Sequence, residues 1–210
     1  MKVELIAITR YLRGNGTPEE LLEHAGRVCY RSQGGSDPGR FLRARIREGH
    51  ESLIEHASAT FEISGISRAC SHQLVRHRLA SYSQESQRYV SMDEPEWVLP
   101  PAITSDAEAL AIWERFSEQV RAAYRALRER GIRKEDARFV LPNATATRIV
   151  VTMNFRELRH MFHVRISPQA QWEIRALCVR MLELVHAVAP NVFGDLRESL
   201  RSQYPDFFEE

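Results

Sequence analysis

The densest chemical feature of this 210-residue chain is Arg76-His77-Arg78. Guanidinium groups offer rigid forks of donors that match phosphate and planar acceptors, so two of them beside an imidazole can hold an anion. Taken alone, the tripeptide reads more simply as a basic helix end that sits in water or caps its own carbonyls. Its neighbours in sequence change that balance. Gln73 lies three residues before Arg76, a spacing that puts an amide and a guanidinium on one face of a helix. The polar stretch that follows brings Ser83, Gln84, Ser86 and Arg88, donors of the kind that grip a phosphate and a base edge. Farther on, Arg156 and His160 are four apart on another expected helix, with Arg165 after them. An unpaired charge in a partly dry site costs on the order of several kcal/mol, so this many arginines imply a polyanionic ligand. His160 and His163 read equally well as satisfied helix histidines.

Other chemistries find little support. Eight histidines are present, yet His50-Glu51 through His56 does not form H-E-x-x-H, and His160-Met161-Phe162-His163 has no nearby Cys or Asp, so no metal is expected. Gly14-Asn15-Gly16 precedes a helix cap but lacks the third glycine of a dinucleotide loop. Cys29, Cys70 and Cys178 are an odd set without C-x-x-C, which argues against a disulfide framework and fits a reducing cytoplasm. All three are expected to be buried structural thiols, since none falls in the polar stretch where a ligand would lie. Ser86 has no base and orienting group spaced to make it a nucleophile and reads as a hydrogen-bond donor.

Charge narrows the partners. Lys plus Arg is 29 against Asp plus Glu 28, a net +1 that does not suit wholesale binding to nucleic acid or membrane. The cations are concentrated: residues 68–88 carry +3 and residues 138–165 carry +4. A nucleic-acid module would need an extended basic stripe, and a metal-dependent phosphohydrolase would need clustered carboxylates, where the polar stretch has only Glu85. No apolar run approaches the roughly 20 residues that cross a bilayer, and no export segment is visible.

These residues need elements to position them. Residues 3–9 read as a strand. Thr17-Pro18-Glu19-Glu20 supplies an N-cap, a proline at N1 and a capping-box glutamate, predicting a helix to about Cys29. A flexible loop is expected over Ser32–Gly39, then a helix over Phe41–Glu48 stopped by Gly49. Ala57–Ser64 alternates as a strand, Gly65 breaks it, and Ser67–His77 reads as a helix. Leu79–Val90 reads as a long polar loop. Ser105 with Glu108 opens a long helix ending near Gly131, and a short helix covers Lys134–Val140. Ala144–Met153 reads as a strand, with helix as the alternative; helices follow over Phe155–Val164, from Pro168 to Ala189, and from Asn191 onward. Helices with a few scattered strands favour an α+β fold over a doubly wound sheet.

The residues also match a known pattern. Arg76-His77-Arg78, seven residues and then Ser86 resembles the R-H-R-x7-S signature of the flavin-dependent thymidylate synthases, the ThyX type. The likeness continues in Gly49-His50-Glu51-Ser52 with Glu55-His56, in Ala137-Arg138-Phe139-Val140-Leu141-Pro142, in Asn154-Phe155-Arg156 through Arg165, and in Ala170-Gln171-Trp172-Glu173-Ile174. It spans about Gly49 to Arg175 and is weakest from Pro95 to Glu135. It implies a single ThyX-like catalytic domain over 1–210, helix-rich around a mostly antiparallel sheet. The implied reaction is reductive methylation of dUMP to dTMP, with 5,10-methylenetetrahydrofolate as carbon donor, FAD as redox carrier and NADPH as reductant. A homotetramer with sites shared between subunits is implied too.

Carried over position by position, the resemblance places Ser52, His77, Arg78, Asn154, Phe155, Arg156 and His160 on FAD. Arg76 and Gln84 would face both flavin and nucleotide. Gln73, Leu74, Val75, Glu85, Ser86, Gln87, Arg88, Arg138 and Arg165 would surround dUMP, and His50 and His56 are weaker candidates near flavin or folate. The loop reads Ser83-Gln84-Glu85-Ser86 where Asn-Glu-x-Ser is common, which leaves Gln84 and Glu85 as alternatives for the carboxylate's contact. Ile54 stands where Phe is frequent, a packing change expected to be tolerated. Methylation at C5 of uracil needs an electron-rich ring; with no activated thiol in sequence, a permanently charged arginine can polarise it, and by resemblance Arg165 has that role.

Overall fold

The computed structural model describes residues 1–32 and 38–209. Four strands, β1 (Lys2–Ile8), β2 (Ser58–Ser67), β3 (Ala80–Gln84) and β4 (Ala146–Asn154), form one antiparallel sheet in the order β1-β2-β4-β3. The helices are α1 (Pro18–Tyr30), α2 (Pro38–Arg47), α3 (Arg68–Leu74), α4 (Pro101–Thr104), α5 (Ala107–Glu129), α6 (Lys134–Ala137), α7 (Phe155–Arg165), α8 (Trp172–Val188) and α9 (Pro190–Gln203). A 3-10 turn over Glu51–His56 leads into β2. The helix-rich α+β architecture is the expected one. No described helix is long and apolar enough to cross a membrane, and no group of three or more metal-ligating side chains occurs among the described residues.

Backbone packing divides the chain into two compact units, the first Met1–Ile63, Gln73–Tyr82 and Val150–Glu210, the second Ser64–His72 and Ser83–Ile149. The first has the larger core. Alternation along β2 buries Ala59, Phe61 and Ile63, as one face of a half-covered antiparallel strand should. Phe193 of α9 meets Phe155 and Phe162 of α7 at ring-centroid distances of 5.1 and 6.1 Å. In the second unit, Tyr124 of α5 packs with Met92 and Ala137, its hydroxyl accepting from the Met92 amide at 3.2 Å.

Local signals translated well where partners are close in sequence. Thr17 and Glu20 form the full capping box on α1, and Gly49 takes the left-handed φ of +80° that ends α2. Several expectations are corrected. Residues 33–37 of the expected loop lie outside the described residues, and Pro38 and Gly39 already belong to α2. Gly65 does not end β2: at φ +67° it lets the strand continue to Ser67, and α3 stops at Leu74 rather than reaching His77. The polar stretch after Leu79 contains β3. The cap of α5 is Asp106, whose carboxylate accepts from Glu108 and Ala109, while Ser105 ends α4. Gln171, not Pro168, starts α8 by accepting from Glu173 and Ile174.

One arginine of the second basic window serves the fold. Arg159 is buried, donates to both carboxylate oxygens of Asp195 at 2.6 and 2.8 Å, and donates to the Val192 carbonyl. Burial pushes the Asp195 carboxyl up, but hydrogen bonds and charge from Arg159 outweigh this and leave it below its usual range. Asp195→Asn is expected to cost about 1–2 kcal/mol at pH 7, allowing for the carboxylate's exposure. Because the folded pKa is depressed, urea titrations should show the gap to wild type closing as pH falls below about 4.

Candidate functional site

In the first unit the site is built on α7. Asn154 caps that helix, its side-chain oxygen accepting from the Glu157 amide at 2.8 Å. Helical periodicity then separates two faces: Glu157, Leu158, Met161 and Phe162 are buried, whereas Arg156, His160 and His163 are exposed. The exposed residues line a cavity of about 760 Å³ together with Asn154, Leu79, Glu51 and Glu55. Arg156 is held across this cavity by Glu55 at 2.5 Å, with Glu51 at 3.9 Å.

The Arg76-His77-Arg78 segment is a turn, not a helix face. Arg76 and His77 donate their amides to the carbonyls of Gln73 and Leu74 at 3.3 and 3.2 Å, which tightens the chain past the end of α3. Tyr82 of β3 pins the turn, its hydroxyl lying 2.8 and 2.7 Å from the carbonyl oxygens of Leu74 and His77 and donating to them. Burial, with lesser contributions from Glu157 and Cys178, keeps that phenol protonated far above its usual range. Arg76 and Arg78 point outward, exposed and with no ion pair among the described residues; the shared helical face expected for Gln73 and Arg76 does not exist, since α3 has ended.

His77 is buried and meets Arg165 from the end of α7. The Arg165 Nε donates to His77 Nε2 at 3.0 Å, and Nη2 donates to the Gln73 carbonyl at 3.3 Å. His160 stands edge-on to His77 at 6.1 Å between centroids. Burial first, then the charges of Arg165 and His160, push the His77 imidazolium down to about 4. His77 is therefore neutral near pH 7, and Arg165 is a half-buried cation without a carboxylate partner among the described residues.

The second unit carries its own cationic cluster. Arg68 and His72 of α3 line a cavity of about 330 Å³ with Gln87, Arg138, Phe139 and Asn143. Burial and the like charge of Arg138 both lower the Arg68 pKa, with Glu85 acting the other way. Arg88 reaches Glu135 at 3.1 and 3.2 Å, and Ser86 Oγ accepts from the Arg88 amide. Gln84 donates to Ser71 and Thr147 hydroxyls at 2.9 and 3.2 Å, so its amide is engaged by α3 and β4. Of the two alternatives in the loop, Glu85 is the one whose charge reaches Arg68.

Residues 10–191 match the protein-family model described as thymidylate synthase complementing protein. The flavin-dependent thymidylate synthase of Geobacter sulfurreducens is 50% identical over 189 residues, covering 85% of this chain and 82% of that one. The chain belongs to the flavin-dependent thymidylate synthases. Another member of that family, from Nitratidesulfovibrio vulgaris, is 46% identical over 215 residues, 92% of this chain and 85% of its own. A crystal structure of Thymidylate Synthase X (ThyX) from Helicobacter pylori with FAD and dUMP superposes with a TM-score of 0.77 at 24% identity, covering 94% of this chain and 99% of that one, which carries the fold. A second Helicobacter pylori ThyX structure, complexed with FAD and dUMP, gives 0.75 at 25% identity over 93% and 99%. The family and the fold that the signature from Arg76 to Ser86 implied are both borne out.

In this flavin-dependent thymidylate synthase the expected site residues sort by unit. Arg165 bonds both His77 and the Gln73 carbonyl, and Asn154, Arg156 and His160 share a cavity. Gln87 and Arg138 share the other cavity, with Ser86 and Arg88 hydrogen-bonded to each other in the same unit. Ser52 is exposed on the 3-10 turn. Leu74 and Phe155 are fully buried, Val75 is half-buried, and the Phe155 amide donates to Ala57 at 2.9 Å, so both Leu74 and Phe155 face the core rather than a cavity. His50 Nδ1 is 2.8 Å from the Tyr30 hydroxyl, and His56 is exposed. Among the thiols, Cys70 and Cys178 are buried as expected, and burial pushes Cys178 up to about 12; Cys29 is exposed, because the last turn of α1 leaves Val28, Cys29 and Tyr30 uncovered. Sequence reasoning passed over Arg68, His72, Glu157 and Tyr82. The i, i+4 spacing of Arg68 and His72 on one helix was the available signal for the first two.

Proposed function

We propose that this chain makes dTMP from dUMP by reductive methylation, with 5,10-methylenetetrahydrofolate supplying the carbon and NADPH the reducing equivalents, over one catalytic domain of residues 1–210 in the cytoplasm. Bound FAD would relay hydride between reductant and nucleotide. The first unit suits it: a cavity of about 760 Å³ is within the range of cofactor sites, and its wall holds the amide of Asn154, the guanidinium of Arg156 and the imidazole of His160. Ser52, Arg76, His77, Arg78 and Phe155 are the further residues of this unit proposed to hold the flavin.

The observation that carries the reading is Arg165. A guanidinium that is half-buried, bonded to a neutral imidazole and a carbonyl, and without a carboxylate among the described residues calls for an anion. Placed against dUMP, it stabilises negative charge on the pyrimidine and so raises the nucleophilicity of C5. Gln73, Val75 and Arg76 are the further residues of this unit proposed to contact the nucleotide. The second unit is proposed to offer a nucleotide Gln84, Glu85, Ser86, Gln87, Arg88 and Arg138, and Arg68 beside Arg138 adds positive charge suited to a phosphate there. The buried Cys178 thiol, held up at about 12, is no nucleophile. We propose further that the working form is a homotetramer whose copies complete one another's sites.

The test is dTMP formation by the purified chain with dUMP, methylenetetrahydrofolate, NADPH and FAD each withheld in turn. The expected result is yellow protein that NADPH bleaches and product only when all four are present. Colourless protein that takes up no FAD, or product formed without NADPH and flavin, would overturn the reading.

A further inference from the structure

Glu157 is a carboxylate with 7% exposure, no arginine or lysine partner among the described residues, and no part in the reaction as derived above. A carboxylate so placed is expensive unless something holds it. It sits in the first turn of α7, where the helix dipole favours negative charge, and the Asn154 cap fixes its backbone. Its Oε1 lies 3.5 Å from Nδ1 of His77.

The opposite nitrogen of that ring decides the rest. His77 Nε2 accepts a hydrogen bond from Arg165 Nε at 3.0 Å, and a guanidinium has no lone pair to offer in return. Nε2 must therefore be bare, and the single proton of the neutral ring must sit on Nδ1, toward Glu157. The other groups around the ring do not substitute for this carboxylate. His160 meets it edge-on at 6.1 Å, Tyr82 bonds the His77 carbonyl rather than the ring, and Cys178 on α8 is a protonated thiol.

We infer that Glu157 is a positioning residue: it holds His77 as the Nδ1–H tautomer, so that Nε2 can accept from Arg165 and aim the guanidinium. This rests on the role proposed for Arg165. Without the carboxylate, a histidine reverts to the Nε2–H form that predominates in water, and two N–H groups then face each other between His77 and Arg165. The arginine keeps its charge but loses its direction.

The test uses ring-15N-histidine NMR of the FAD-loaded enzyme, with His77→Gln serving to assign the signal, alongside kinetics of two variants. The wild type should show His77 protonated on Nδ1. Glu157→Leu should move the proton to Nε2 and lower kcat about tenfold or more at wild-type FAD content, the scale of losing an orienting partner. Glu157→Gln keeps an acceptor oxygen and should retain Nδ1–H and a kcat within about threefold of wild type. An Nε2–H signal in the wild type, Nδ1–H retained in Glu157→Leu, or equal losses in both variants would overturn the inference. If Glu157→Leu does not fold, the wild-type tautomer and the Glu157→Gln rate decide it. Nδ1–H in a chain that never forms dTMP would instead refute the proposed function and leave the tautomer assignment standing.

Discussion

Replacing Arg165 with alanine is expected to lower kcat for dTMP formation by a factor of about 10² or more while FAD remains bound, the loss typical of removing one preorganised electrostatic stabiliser. The flavin should stay because the cavity wall formed by Asn154, Arg156 and His160 does not depend on the Arg165 side chain. Arg165→Lys should recover little: an ammonium lacks the fork with which Arg165 meets His77 Nε2 and the Gln73 carbonyl together. Flavin absorbance of the purified variants and steady-state rates at saturating dUMP check both points. A turnover within threefold of wild type in Arg165→Ala would remove this residue from the chemistry.

The stability of the protein should carry the signature of His77. In the unfolded chain the imidazole titrates near 6.5, whereas in the folded state it does so at about 4. Between those values the unfolded state takes up a proton that the native state refuses, so stability falls as pH drops through this window and levels off beneath it. The full loss is about 3 kcal/mol for a ring this deeply buried. His77→Gln has no such proton to gain. Its melting temperature should lie below wild type at pH 7, where the bond to Arg165 is weakened, but should fall less on acidification, by about 6–12 °C for a chain of this length. Parallel slopes of melting temperature against pH for the two proteins, at equal FAD, would contradict the neutral buried imidazole.

What was legible along the chain was what depends on near neighbours. The capping box Thr17–Glu20 closes over three residues, and the run Ile149-Val150-Val151-Thr152 favoured a strand for β4 over the helix that was its alternative. The segment Ala80–Gln84 carries no such mark: Ser81 and Ser83 face outward, and Gln84 finds its partners in Ser71 and Thr147, 13 and 63 residues away. Its strand character comes from pairing with β4, a partner that no local window contains. Arg159 illustrates the converse for the site. Its charge counted toward a basic window in sequence, yet Asp195, 36 residues on, takes it into the fold.

By itself the amino-acid order determined the family and the α+β class, because residue types at short spacings are written directly in the chain. The tertiary structure decided which charges are available. Arg165 and His77 are 88 residues apart and meet only because α7 packs beside the turn after α3. That meeting removes His77 from water and leaves Arg165 without an acid among the described residues, while Glu157 lies 3.5 Å from the other ring nitrogen. Burial and the identity of the nearest neighbour set the protonation state and direction of each group, and both are properties of the packed chain.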